Sequence, residues 1–264
     1  MSHPAPDCEE SLTPLVWDLE DSRVLTFVSD HVQSRMDLRA PDALLLEYTR
    51  VMMGFLLHQP APQSIAMVGL GGGSLAKFCH RYLPGSCITV VEISLDVIAL
   101  REAFAIPSDS ERFSVLHGDA AEFFRYNDTR FDVLLLDGFD ANGVPPQLDT
   151  PQFYSDCQRA LSPGGVLVTN LHANVGDYTQ TLQRLAHAFS EAPLAVPCGQ
   201  GSNHLVFAKN DPARTLHAFR EVRCPDNFDP GAWKTLLPSV ARVALAARTR
   251  FEHAPASPSA PPHR

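Results

Sequence analysis

The chain has 264 residues, 45% hydrophobic and 19% charged, which suffices for one large folded domain with a smaller addition. Asp and Glu number 30 against 21 Lys and Arg, so the formal net charge of -9 argues against a nucleic-acid surface and suits either cationic substrates or plain solubility. No apolar run reaches the roughly 18 to 20 residues of a membrane span and the start lacks a signal-peptide pattern, so a cytoplasmic protein with no membrane contact is expected.

The cysteines and histidines are dispersed along the chain, with no C-x-x-C pair and no spacing typical of metal ligands. Reduced, mostly structural thiols and no metal site are therefore expected. The cysteines are Cys8, Cys79, Cys87, Cys157, Cys198 and Cys224.

The first 40 residues predict a small β region ahead of the main domain. Residues 1–12 are polar and contain proline, which is typical of a flexible arm. Leu15–Asp18 and Val24–Val28 predict a β-hairpin, and His31–Met36 a third short strand. This β region is expected to span residues 13–40.

Residues 41–57 begin with a helix-start signal and are apolar nearly all round, so they predict a mostly buried helix. Tyr48 and Arg50 are its polar exceptions. For Tyr48 two interpretations stay open: a core aromatic whose hydroxyl is satisfied inside the protein, or a contact to substrate.

A buried strand followed by a glycine turn is the feature around which the rest of the chain is organised. Ile65–Val68 is too short for a helix and lies between prolines and glycines, which predicts a central parallel strand. Residues 74–82 predict a helix after the turn, with its first amides directed at a ligand. NAD, FAD, AdoMet and plain tight packing all use such turns. The turn glycines are Gly69, Gly71, Gly72 and Gly73.

Three later strands are predicted to end in carboxylates. Glu92 ends the strand after the glycine turn, and Asp119 and Asp137 end the next two strands along the chain. Parallel strands direct their carboxyl ends into one crevice, so these groups should converge there. They would repel the pyrophosphate of a dinucleotide and attract a sulfonium or a polyamine. Any one of them could be a solvated strand end or a helix cap, but together they favour an adenosyl-sulfonium ligand.

The rest of the chain alternates between strand and helix patterns, which predicts an α/β, doubly wound fold. Ser94 and Thr150 are the expected helix N-caps. Residues 137–148 are rich in Gly, Pro and Asn and predict a loop that could act as a lid. The predicted helices are Leu95–Phe104, Ala120–Tyr126, Pro151–Leu161 and Asp177–Ser190. The predicted strands are Ile88–Ile93, Phe113–Asp119, Phe131–Asp137, Val166–Asn170, Leu194–Val196 and His204–Lys209.

Residues 211–251 predict a helical extension, with segments Pro212–Glu221 and Trp233–Arg250 that pack on the sheet or at a dimer contact. Residues 252–264 are rich in Pro, Ser and Ala and are expected to be disordered. The nucleoside-binding catalytic domain would then span residues 41–210.

With these residues placed, the chain resembles the spermidine synthase family of polyamine aminopropyltransferases, a branch of the class I AdoMet-dependent methyltransferase-like fold. The resemblance runs from about Val24 to Lys209 and implies a mostly parallel, seven-stranded, Rossmann-like sheet behind a small β-hairpin region. It rests most strongly on Val68–Ser74, Val91–Ile93, His117–Ala120 and Leu136–Asp140.

The resemblance implies a set of nucleoside-binding residues. Glu92 would bind the ribose hydroxyls, and Asp119 with Ala120 the adenine amine. Gln33 would lie near the nucleoside. The full set is Gln33, Gly69, Gly71, Gly72, Gly73, Glu92, Ile93, Asp119 and Ala120.

The reaction that the resemblance implies is attack of a neutral, putrescine-like amine on decarboxylated AdoMet, releasing methylthioadenosine. Asp137 matches the catalytic aspartate and would accept the proton of the amine, while Asp140 would hold a distal ammonium. Tyr48 and Tyr154 are weaker candidates for substrate binding. A homodimer without a metal or nucleic acid is the expected assembly.

Departures from the family pattern leave other functions open. The family's loop Asp-Ser-Ser-Asp-Pro is Asp-Gly-Phe-Asp-Ala over residues 137–141 here, and the usual Tyr-Gln substrate pair is not found ahead of the first hairpin. The aspartate that pairs with the aminopropyl ammonium is replaced by Gly72. AdoMet itself could therefore be the donor for an AdoMet-dependent methyltransferase acting on a small amine, or the chain could be a non-catalytic nucleoside-binding homologue.

Overall fold

The computed structural model describes residues 13–27, 32–138, 144–172, 177–199, 203–211 and 221–252. A small antiparallel sheet near the start contains β1 (Leu15–Leu19), β2 (Ser22–Thr26) and β3 (Val32–Asp37), in that order. It confirms the predicted hairpin and third strand, whose predicted ends Val28 and His31 lie outside the described residues.

The main sheet has seven strands in the order β6-β5-β4-β7-β8-β10-β9. The pairs from β6 to β8 are parallel, and β10 pairs antiparallel with β8 and β9. This confirms the doubly wound, mostly parallel sheet. The strands are β4 (Ser64–Val68), β5 (Cys87–Glu92), β6 (Phe113–His117), β7 (Phe131–Leu136), β8 (Leu161–His172), β9 (Leu194–Pro197) and β10 (Asn203–Lys209).

Helices cover both faces of the main sheet and bury a core on each. On one face lie α1 (Glu47–Met52), α2 (Ser74–Tyr82), α3 (Leu95–Ala99) and α7 (Pro230–Glu252). On the other lie α4 (Ala120–Tyr126), α5 (Pro151–Ala160) and α6 (Tyr178–Phe189). Two short 3-10 helices span Met53–Leu57 and Pro146–Leu148.

The predicted N-caps are confirmed by their hydrogen bonds. Ser94 Oγ accepts from the amide of Val97 at 3.3 Å, and Thr150 Oγ1 accepts from the amide of Phe153 at 3.0 Å. Each cap satisfies one of the amides that a helix start leaves without an internal partner. These bonds fix where the chain enters α3 and α5.

The helix predicted over residues 41–57 is wrong for residues 41–46. α1 begins only at Glu47, because Leu46 is extended and the guanidinium of Arg50 takes the carbonyl oxygens of Leu44 and Leu45. After Met52 the chain tightens into the first 3-10 helix.

Two further boundaries differ from the prediction. α3 ends at Ala99 instead of Phe104, and turns with Ala105 at a φ of 51° follow, so that Phe104 becomes fully buried. β8 begins at Leu161 instead of Val166, and Ser162–Gly165 form an irregular stretch within it between the paired residues Leu161 and Val166.

The C-terminal helix α7 packs against α1 and β9. Trp233, Leu236 and Val240 are buried in the core of that face, which confirms the expected packing of this helix. The helix predicted over Pro212–Glu221 falls almost entirely on residues 212–220, outside the described ranges. The predicted arm (1–12), the last residues of the predicted tail and the domain boundaries stay predictions.

Candidate active site

The crevice of the main sheet opens above the carboxyl end of β4. The neighbours of β4 are β5 on one side and β7 on the other, so the chain reverses its direction of travel across the sheet at this strand. In open α/β sheets ligands bind at such a switch point. No helix in the described ranges is long and apolar enough to cross a membrane.

The glycine turn follows β4 directly and brings it against the end of β7. Gly69 has a φ of 87°, a left-handed conformation that glycine adopts without strain. A Cβ atom at Gly69 would lie 2.6 Å from the carbonyl oxygen of Asp137. The backbones of the two strand ends therefore touch, and any larger residue at 69 would separate them.

Glu92 is 7% exposed and holds the glycine turn through the backbone. Its Oε2 accepts from the amide of Leu70 at 2.7 Å, and its Oε1 accepts from the amide of Ser94 at 2.8 Å. Each carboxylate oxygen can accept a second hydrogen bond, so these bonds are compatible with ribose hydroxyls as further donors. The next residue, Ile93, is 58% exposed at the same edge, where an apolar side chain could cover a flat ring.

Asp119 is the N-cap of α4. Its Oδ1 accepts from the amide of Ala121 at 2.7 Å, and Ala120 is buried. The amide of Gly118 donates to the carbonyl oxygen of Glu92 at 3.0 Å, which keeps the ends of β5 and β6 side by side. The capping role proposed for a single carboxylate is thus present here, and adenine binding by the same side chain stays a prediction.

Gly72 lies where the family pattern has an aspartate, and its surroundings are closed. A Cβ atom at Gly72 would lie 2.6 Å from Ser34 Oγ and 2.8 Å from Phe104 Cδ1. Ser34 is buried and its Oγ lies 3.3 Å from Ser74 Oγ. Because successive strand residues face opposite sides, Gln33 alternates with Ser34 on β3, and its role near the nucleoside stays a prediction.

Asp137 follows β7, is half-buried and lies against side chains from distant parts of the chain. Asn170 Nδ2 donates to Asp137 Oδ1 at 3.0 Å, and the hydroxyl of Tyr48 lies close to the same carboxyl. Burial raises the pKa of Asp137 to about 6, against the opposite effect of Asn170 and Tyr48. The pKa of Tyr48 is raised well above its usual value by burial and then by the charge of Asp137.

The two interpretations of Tyr48 are compatible, because the side chain packs against the core and its hydroxyl lies close to the candidate base. A carboxyl with a pKa near 6 is charged at neutral pH and still basic enough to take a proton. Asn170 was not among the expected site residues, since a single amide at a strand end carries no distinctive pattern. Asp140 lies outside the described residues.

Tyr154 belongs to a separate polar cluster beside the crevice. Its hydroxyl donates to Asp149 Oδ1 at 3.1 Å, and Asp149 also accepts from Thr181 at 3.0 Å and from Arg184 at 2.5 Å. This cluster joins α5, α6 and the second 3-10 helix. A substrate contact for Tyr154 stays a weak prediction. Across the described ranges, no group of three or more His, Cys, Asp or Glu could hold a metal ion.

The sheet order, the glycine turn and the carboxylates at the ends of β5 and β7 are those of a Rossmann-like protein of the class I methyltransferase fold, in which ligands bind at this edge of the sheet. The profile of the spermine/spermidine synthase domain matches residues 45–199. The chain therefore belongs to the spermine/spermidine synthase family.

Curated relatives agree with this assignment. The chain is 38% identical over 187 residues to a polyamine aminopropyltransferase of Chromobacterium violaceum, covering 70% of this chain and 72% of the relative. It is 39% identical over 188 residues to a polyamine aminopropyltransferase of Neisseria meningitidis serogroup A, with the same coverage of 70% and 72%. The chain is accordingly a transferase, and neither methyl transfer nor non-catalytic binding is favoured.

Solved structures show the same fold. A probable spermidine synthase from Corynebacterium glutamicum matches with a TM-score of 0.63 at 21% identity, covering 86% of this chain and 82% of that one. A spermidine synthase in complex with the transition state analogue AdoDATO matches with a TM-score of 0.61 at 18% identity, covering 90% and 87%. Human methyltransferase-like protein 13 in complex with SAH gives a TM-score of 0.58 at 22% identity, covering 76% and 92%.

Proposed function

We propose that this chain transfers an aminopropyl group from decarboxylated AdoMet to a small, putrescine-like amine and releases methylthioadenosine. The observation that carries this proposal is the half-buried carboxyl of Asp137, which lies next to the glycine turn, is hydrogen-bonded to Asn170 and is close to Tyr48. The names of the curated relatives support the same reaction.

The nucleoside is proposed to lie over the glycine turn, with Glu92 binding the ribose hydroxyls and Asp119 the adenine amine. The positions of these side chains support the proposal, because the ends of β5 and β6 are joined through Gly118 and Glu92 beside the turn. Ile93 and Ala120 would pack against the ring. Gly71 leaves room for close approach of the ligand, since the nearest atom to a Cβ there would be Ser34 Cβ at 3.8 Å.

Asp137 is proposed to orient the amine and to accept its proton. A polyamine nitrogen is protonated at neutral pH, so it must lose a proton before its lone pair can attack. In the transfer, the bond from nitrogen to the methylene carbon forms, the bond from that carbon to sulfur breaks, and the sulfur keeps the electron pair. The released proton goes to Asp137, and Asp140 is proposed to hold a distal ammonium. Alignment of the two reactants in a closed crevice supplies further acceleration.

Gly72 bears on the relative affinity of the site for decarboxylated AdoMet and AdoMet. Decarboxylated AdoMet ends in an ammonium that a carboxylate would stabilise, whereas AdoMet carries a carboxylate of its own. Because Gly72 offers no such partner, the two donors should differ less in affinity than where an aspartate stands there. Calorimetric titration of both donors measures this difference directly.

The test of the whole proposal is mass spectrometry of products after incubation with each sulfonium donor and a panel of amines. Aminopropylated amine together with methylthioadenosine is the expected result. Methylated amine with AdoMet as the preferred donor would contradict it.

A cytoplasmic homodimer is the corresponding proposal for location and assembly. The free cysteines among the described residues suit a reducing compartment. Leu15, Trp17 and Leu19 alternate along β1 and are 40 to 57% exposed, which supports a contact surface on this edge strand. Light scattering after gel filtration, at several protein concentrations, tests the dimer.

A further inference from the structure

A row of polar side chains runs across the main sheet to the candidate base. Asn203 Nδ2 donates to Asn170 Oδ1 at 2.9 Å, and Asn170 Nδ2 donates to Asp137 Oδ1 at 3.0 Å. Asn170 is 3% exposed. The three residues lie on β10, on β8 and directly after β7, which are neighbours in the sheet. The row therefore reaches Asp137 through side chains alone.

The direction of each amide decides what Asp137 meets. An asparagine side chain has a donor end and an acceptor end, and only the donor end stabilises a carboxylate. With the amide of Asn170 turned over, its oxygen would face Asp137 and repel the charge. The hydrogen bond from Asn203 occupies Asn170 Oδ1 and so keeps the donor end towards Asp137.

Asn203 is itself directed by acceptors. Its Nδ2 lies 2.9 Å from Asn170 Oδ1 and 3.5 Å from His172 Nε2, and the backbone pairs Asn203 with His172 between β10 and β8. Asn170 Oδ1 accepts from the amino end of Asn203, and His172 Nε2 accepts from it in the tautomer that carries the ring proton on Nδ1. The orientation of both amides is thus set on β10, the strand next to β8, whose Asn170 contacts Asp137.

We propose that Asn170 and Asn203 are positioning residues that keep the carboxylate of Asp137 charged in its half-buried site, Asn203 acting through the amide of Asn170. The role of this charge in proton transfer rests on the proposed function, but the charge itself does not. Asn203 makes no direct contact with the reacting groups in this scheme.

Tyr48 and His172 are titratable side chains near Asp137 and Asn203. On α1, the hydroxyl of Tyr48 lies close to the carboxyl and favours its charged form. On β8, His172 lies beyond Asn203, next to its amino group. Burial acts in the opposite direction and is the largest influence on the pKa of Asp137. Removing the hydrogen bonds of Asn203 and Asn170 should therefore raise the pKa of Asp137, because less would then oppose the effect of burial.

The experiment is a carbon-13 NMR titration of the Asp137 carboxyl in the full chain, assigned by its loss in Asp137→Asn. Asn203→Leu, which removes the donor without adding charge, should raise the pKa of Asp137 by about one unit. The acid limb of kcat/KM should move to higher pH by the same amount, with a loss of about tenfold below that limb and near-normal rates well above it. A role in packing alone would lower the rates at every pH equally.

Asn210→Leu is the matched control. Asn210 follows β10 at its other end and donates to the carbonyl oxygens of Leu161 and Ser162. Its loss should lower the melting temperature and leave the titration of Asp137 unchanged. Asn203→Asp is the second variant, in case the leucine does not fold. It removes the donor at nearly constant size and adds a charge, so it should raise the pKa at least as much.

The outcomes separate this inference from the proposed function. An unchanged or lowered pKa of Asp137 in a folded Asn203 variant would overturn the inference. The pKa of Asp137 could rise in the Asn203 variant while the wild-type chain transfers no aminopropyl group to any amine. That result would support the positioning role and overturn the proposed function.

Discussion

The two sides of the crevice hold their carboxylates by different means. On the nucleoside side, Glu92 and Asp119 are bonded to backbone amides: Asp119 to that of Ala121, and Glu92 to that of Ser94 and, 22 residues away along the chain, to that of Leu70. On the acceptor side, Asp137 is bonded to the side chain of Asn170 on β8 and lies close to Tyr48 on α1. The nucleoside side is therefore held by backbone groups, whereas the acceptor side depends on side chains from distant segments.

Neutralising Asp137 should have the largest effect, and it should act on the acceptor side of the crevice alone. Asp137→Asn should reduce turnover by about a hundredfold or more, the scale for a positioned base, and should leave the affinity for methylthioadenosine unchanged. Single-turnover kinetics and calorimetry measure the two quantities. Asp132→Asn, at the opposite end of β7 where the side chain accepts from the amides of Gln63 and Ser64, is the control and should turn over normally. Surviving turnover in Asp137→Asn would place the proton acceptor elsewhere.

The same substitution should make the protein more stable at high pH. The pKa of Asp137 rises from 3.8 to about 6 on folding, so the folded state favours the protonated carboxyl. The contribution of this raised pKa to the free energy of unfolding is complete below pH 3.8 and is lost as the pH rises through about 6. Asp137→Asn should therefore exceed the wild type in free energy of unfolding by about 2 to 3 kcal/mol at pH 8. Urea unfolding at pH 4 and pH 8 checks this, and an equal difference at both values would contradict it.

On the nucleoside side, Glu92→Ala should weaken methylthioadenosine binding by roughly 1 to 3 kcal/mol, because a charged hydrogen-bond partner is lost. The free energy of unfolding should fall as well, since the amides of Leu70 and Ser94 lose their acceptor. Calorimetry and thermal unfolding measure the two effects, with the exposed Glu102→Ala as control. Undiminished binding would remove Glu92 from the site.

Asp119 allows capping and ligand binding to be separated. Asp119→Ala should destabilise the protein by about 1 kcal/mol through loss of the cap, whereas Asp119→Ser keeps a capping oxygen and should cost less. Both variants lose the carboxylate and should bind methylthioadenosine equally weakly. If the serine variant binds like the wild type, Asp119 acts as a cap alone.

The sequence predicted those parts of the structure that local patterns set, and it failed where side chains from other segments take part. The strands β4, β5 and β7, the helix α2 and the caps Ser94 and Thr150 are set by local patterns, and the structure confirms them. The failures arise where side-chain contacts decide. The guanidinium of Arg50 takes the carbonyl oxygens of Leu44 and Leu45, which keeps the chain just before α1 unwound. Asn170 and Asn203 line up with Asp137 only because β7, β8 and β10 are neighbours in the sheet.

The closed space at Gly72 also limits how donor recognition can be engineered. An aspartate placed there would have to displace Ser34 and Phe104, so this single substitution should destabilise the turn while it adds a donor contact. A redesign of this position would therefore have to change Ser34 and Phe104 together with Gly72.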